Sequence, residues 1–200
     1  MSRLENGLEE SFHAALSASA RAADIDAADD LYGWLIGSWD MNVVHYRVDL
    51  RDAPRRGEIH FGWVLEGRAV QDVWIMPPRS ERGERDDGHA TGNAGQPGET
   101  RNAAEPVLAM YGTTLRIWDP ARRVWRVTYV NPQTGQRDEL IGRRIGNDLV
   151  QIGTHADGTP IRWNFTDITR DSFRWTGVAL APDGVTWTLE AQFHARRRGA

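Results

Sequence analysis

The sequence predicts an all-β protein, an antiparallel up-and-down barrel of about ten strands with N-terminal helices. Three observations predict it. From residue 38 onward, short segments of alternating apolar and polar residues recur at regular spacing. Turn chemistry separates them, as at Glu66-Gly67, Asp119-Pro120, Gly146-Asn147, Asp157-Gly158 and Asp183-Gly184. Sequence-adjacent hairpins make a meander, and pairing its first strand with its last removes the exposed edges.

Residues 3 to 23 read as a helix, because Leu4, Leu8, Phe12, Ala15, Leu16 and Ser19 form one stripe at helical spacing. An acidic run from Asp24 to Asp30 leads to a short second helix, N-capped by Asp26 and ending near Gly37. Residues 1–37 are therefore a helical segment, and 38–200 the barrel domain. The predicted strands span 38–50, 58–65, 68–76, 107–118, 124–131, 137–145, 149–155, 160–168, 172–181 and 185–197. Residues 77–105 are Pro-Pro followed by Arg, Glu, Asp, Gly, Asn and Thr with almost nothing apolar, and read as a flexible loop, a lid or a tolerated insertion.

Composition narrows the function. Two hundred residues suit one domain with a sizeable core. Net charge is −4 with acids and bases interspersed, so no basic face points to nucleic acid. All 24 basic residues are arginine. With the abundant Ala and Gly this fits GC-rich bacterial codon usage, and the arginines read as solvated background. Cysteine is absent, which excludes disulfides, thiolate metal sites and a cysteine nucleophile. Residues 1–10 lack a signal core and no stretch is long enough for a membrane helix, so the expected location is cytoplasmic, without a membrane partner. Nine tryptophans must be buried in a core or around a ligand.

Hairpin turns carry parity from strand to strand, since directly paired residues share a face. A two-residue loop at Glu66-Gly67 places Ile59, Phe61, Trp63 and Leu65 inside with Val70, Asp72, Trp74 and Met76. The turn at Asp157-Gly158 adds Leu149, Gln151 and His155 with Ile161, Trp163 and Phe165. The turn at Asp183-Gly184 adds Phe173 and Trp175 with Trp187, Leu189, Ala191 and Phe193. Parity from Trp39 brings in Met41, Val43 and His45. Tyr111 and Tyr129 join through the faces they share with Leu115 and Trp125.

Gly37-Ser38-Trp39, at the start of the first strand and just after a short helix, resembles the Gly-x-Trp signature of the lipocalin and wider calycin families. The resemblance covers the order of elements from Leu31 onward. It implies a tryptophan plugging the closed end of the barrel and an arginine from the last strand packed on it, here Arg196, Arg197 or Arg198. The ten-stranded nitrobindin-type haem barrels are a distant likeness. Their later glycines are missing from Trp39-Asp-Met-Asn-Val43, and the late-strand haem histidine they use has His194 as its counterpart, which parity turns to solvent.

These readings predict a lipocalin-like barrel that binds a small apolar or aromatic molecule without a cofactor. Trp63, Trp74, Trp163 and Trp175 would be its walls, with Asp72, His45, Tyr111, Tyr129 and Gln151 as its polar groups. A polar group among aromatics must be hydrogen-bonded. Asp72 is therefore a ligand anchor, a general base with His45 or Tyr129 as partner, or half of a buried structural pair. The second reading makes the protein a metal-free, cofactor-independent isomerase, cyclase or decarboxylase. A haem barrel, and a fully packed homodimer acting through its surface, are further alternatives. The chain has no Gly-rich phosphate loop, no nucleophile elbow and no histidine pair at helical metal-ligand spacing.

Overall fold

The computed structural model describes residues 11–82 and 109–199. Its strands are β1 (Ser17–Ala18), β2 (Gly37–Tyr46), β3 (Val48–Asp49), β4 (Arg55–Val64), β5 (Ala69–Met76) and β6 (Met110–Asp119), then β7 (Val124–Asn131), β8 (Gln136–Ile145), β9 (Asp148–Thr154), β10 (Pro160–Thr166), β11 (Ser172–Leu180) and β12 (Trp187–Arg197). The ten long strands follow one another as antiparallel neighbours, and β2 pairs with both β12 and β4, which closes an up-and-down barrel.

Closure leaves one gap. β2 covers β4 only as far as Phe61, opposite Gly37. Beyond it, Trp63 and Val64 are covered by Ala18 and Ser17 instead, so the backbone groups there find partners. This is why the first predicted helix stops early. Residues 11–16 are helical, but Ser17–Ala18 is strand, and the part of the prediction at 3–10 lies outside the described residues. The second helix is likewise two short 3-10 turns, Ala27–Asp29 and Gly33–Leu35. Asp26 makes no side-chain cap; Asp30 does, accepting from the N–H of Gly33 at 2.7 Å. Of the predicted loop, residues 77–82 include a 3-10 turn at Arg79–Glu81 docked on Glu58 of β4, and residues 83–105 lie outside the described residues.

The second 3-10 turn seals one end of the barrel. Trp39 is fully buried and donates its indole N–H to the Leu35 carbonyl at 2.7 Å. Arg197, opposite Trp39 in register, lies 4.1 Å above its ring and donates to the carbonyls of Ile36 and Trp34. Tyr32 reaches further in, against Trp125. A Cβ on Gly142 would stand 2.0 Å from the Tyr32 hydroxyl, so only glycine lets that ring enter.

Most of the predicted inner face is buried, but six residues are not placed there. Leu65 lies in the β4–β5 turn with φ of 53° and is exposed. Tyr111 and Leu115 face outward, because Met76, Trp74 and Asp72 pair with Met110, Gly112 and Thr114. Trp187 faces outward, and Leu189 is opposite outward-facing Val178, because the β11–β12 register shifts between Gly177 and Val178. His45 faces outward because a second shift skips Val44: Val43 pairs with Phe193 and His45 with Gln192. Tyr46 takes the inward position.

Candidate functional site

At the end opposite Trp39 the barrel opens into a cavity of about 440 Å³. That is within the range of small-molecule sites. Its wall is aromatic. Trp175 stacks on Phe193 with ring centroids 5.3 Å apart and an interplanar angle of 11°. Trp74 and Trp163 flank Trp175 at 5.7 and 5.6 Å, Tyr129 meets Trp163 edge-on, and Tyr46 meets Trp74 edge-on. Gly177 keeps the space open between them, since a Cβ there would stand 2.6 Å from the Trp175 ring. Alternation puts these rings on one face, and the strand pairs Trp163–Gly177 and Trp175–Phe193 put them at one depth.

The floor is polar. Asp72 of β5 and Arg116 of β6 are both nearly inaccessible, with Arg116 Nη1 2.8 Å from Asp72 Oδ2. The other Asp72 oxygen accepts the Thr114 N–H at 2.8 Å. The Arg116 guanidinium lies against the rings of Tyr32 and Phe61. Beneath it Gln151 accepts from the Tyr32 hydroxyl at 3.0 Å and from Arg116 Nε at 3.4 Å. Burial lifts the Tyr32 and Tyr129 hydroxyls well above the ordinary tyrosine range, so both stay protonated donors.

The mouth carries a three-strand tie. His155, at the end of β9, is 2.7 Å from Asp138 on β8 through Nδ1 and 3.0 Å from Glu190 on β12 through Nε2. Two carboxylates accept, so both ring nitrogens donate and the ring is an imidazolium. Burial works against that charge, but the two carboxylates outweigh it and raise the His155 pKa above its ordinary value. Gln136 donates to the second Asp138 oxygen at 2.7 Å. Glu190 is the extra residue at the β12 register shift, and Arg47 follows Tyr46 at the end of β2, so both irregularities lie at the rim. Bulges re-aim side chains in this way beside binding sites.

Of the predicted site residues, Asp72, Trp74, Tyr129, Trp163 and Trp175 line the cavity. Gln151 lies below the floor, and Trp63 is buried against Trp125 away from the cavity. Tyr111 and His45 are on the outer face. Sequence reasoning missed Arg116, Tyr46, Asp138 and Glu190. The turn at Asn131–Gly135 carried enough signal to place Asp138, since Asn131 opposite Gln136 sets Asp138 opposite inward Tyr129. Arg116 had less, because the connection before β6 is too long to transmit parity; only the short turn from Asp119 into β7, which pairs Arg116 with Val127 on the face of Trp125, could have placed it inward.

No family model matches the chain, and neither does any curated protein. A haem would need a histidine that faces the cavity with an uncommitted ring nitrogen. His194 is exposed on the outer face between Asn42 and Arg174 in register. The cavity histidine, His155, has both ring nitrogens committed to carboxylates. Neither fits an axial ligand. Among the described residues no group of three or more His, Asp or Glu side chains has the geometry to hold a metal ion.

Proposed function

We propose that this chain is a lipocalin-like binding barrel for a small, mostly aromatic molecule, held in the cavity between Trp74, Trp163, Trp175 and Phe193. The observation that carries the reading is the cavity itself: about 440 Å³ of space, walled largely by aromatic rings. A structural core of this kind would fill such a space, because packed interiors leave few voids larger than a water molecule. The Gly37-Ser38-Trp39 plug with Arg197 on its ring supports the likeness to calycins. Binding is favoured over acid–base catalysis by the state of Asp72. Both of its oxygens are engaged, by Arg116 and by the Thr114 N–H, so Asp72 is committed to the barrel floor rather than free to act as a base.

The test is titration of the purified protein with the neutral fluorophore N-phenyl-1-naphthylamine. The expected result is saturable one-to-one binding with quenching of tryptophan emission. Ala191→Phe, which fills the cavity from β12, is expected to weaken it at least tenfold while the protein stays folded. Absence of saturable binding by this or other aromatic probes would sink the proposal.

A further inference from the structure

The cavity's unspent polar groups define a ligand class, an inference that rests on the binding reading above and sharpens it. Charge comes first. At the floor Asp72 and Arg116 cancel. At the mouth the His155 imidazolium is held by Asp138 and Glu190, Arg137 is paired on the outer face with Glu139, and Arg47 and Asp157 stand exposed at the rim. Every buried charge of the lining is thus already paired, and burying an unpaired ligand charge among aromatic rings is costly.

Hydrogen-bonding capacity comes second. The buried carboxylates are already satisfied: Asp72 by Thr114 and Arg116, and Asp138 by His155 and Gln136. Trp74 is satisfied too, donating to the Met41 sulfur. Among the described residues, however, the indole N–H groups of Trp163 and Trp175 and the Tyr46 hydroxyl have no protein partner, although all three side chains are over nine-tenths buried and line the cavity. None of these atoms is sealed from solvent, so they face usable space. The aromatic wall thus offers donors in search of acceptors.

We propose that the cavity selects an uncharged aromatic molecule bearing carbonyl oxygens, an aryl ketone or quinone by class. The rings stack in the cage, and a carbonyl accepts from Tyr46, Trp163 or Trp175. A site built to hydrogen-bond an oxygen discriminates against a ligand without one, because its buried donors are then left unpaired.

Four ligands sharing one ring system test this by calorimetric titration: 2-acetylnaphthalene, 2-ethylnaphthalene, 2-naphthoate and 2-naphthylmethylammonium. The ketone is expected to bind about five- to tenfold more tightly than the hydrocarbon, and both ions more weakly than the ketone. At least one of Tyr46→Phe, Trp163→Phe and Trp175→Phe is expected to collapse the ketone-to-hydrocarbon ratio towards one. Hydrocarbon binding equal to the ketone's, a ratio that survives all three variants, or tighter binding of either ion overturns the proposal. Failure of all four to bind removes the binding reading itself, and this one with it.

Discussion

Asp72 and Arg116 show how one residue's role depends on another that is invisible beside it. Each is almost wholly withdrawn from water, and a buried charge is tolerated only with a partner. Asp72→Asn leaves the Arg116 guanidinium uncompensated and is expected to cost about 3–5 kcal/mol, measured by urea denaturation. The double variant Asp72→Leu with Arg116→Met replaces the pair by apolar groups and is expected to recover most of that loss. A single variant as stable as the parent would show that the pair does not hold the floor together. Asp72 stood out in the sequence as a carboxylate among aromatics. Arg116 did not, because it is one of 24 arginines and the pattern around it marks Leu115 as the inward residue.

At the scale of elements, the closed end depends on the register between β2 and β12. That register sets Arg197 opposite Trp39, and it selects Arg197 from three consecutive arginines. The guanidinium forks to two carbonyls of the 3-10 turn while covering the indole. Arg197→Leu is expected to destabilise the fold by about 2–3 kcal/mol, with a changed near-ultraviolet tryptophan spectrum. Arg197→Lys should restore little, because a point charge cannot form the fork. Unchanged melting and spectrum in both variants would remove the arginine from the plug. The same two strands diverge from simple alternation at the other end. The skipped Val44 exchanges His45 for Tyr46 on the inner face, and the extra Glu190 reaches the rim.

For the whole molecule, two charged clusters set a pH window. Glu58 sits where β4 meets β2, bonded by Arg79, Arg198 and His60. Burial alone would raise its pKa, but these bonds lower it from 4.5 to about 2. A depressed carboxylate pKa contributes stability that is present above 4.5 and lost as pH falls towards 2. His155 has the opposite sign. Its raised pKa contributes stability that is complete below 6.5 and lost as pH rises through the folded value. These two groups therefore place the stability maximum between 4.5 and 6.5. Urea midpoints across pH test this: Glu58→Gln should flatten the acid limb and His155→Gln the alkaline one. Parental slopes in both variants would assign the limbs to other groups.

Local pattern alone determined the ten-strand meander, most strand boundaries and most of the aromatic inner face, and the tryptophan plug followed from the resemblance of Gly37-Ser38-Trp39 to the calycin signature. Alternation and turn chemistry act over a few residues, and two-residue periodicity survives from one short hairpin to the next. Only the tertiary structure decided what short-range parity cannot carry. It set the face of β6 beyond a long connection, and the two register shifts that turn His45 and Trp187 outward. It also set the strand that replaces a predicted helix where β4 lacks a neighbour. The cavity was legible as a surplus of aromatic rings. Its buried arginine was not, because the long connection between β5 and β6 hides which residue faces Asp72, and the Glu190 leg of the histidine tie was not, because β9 and β12 are far apart in sequence and meet only across the mouth.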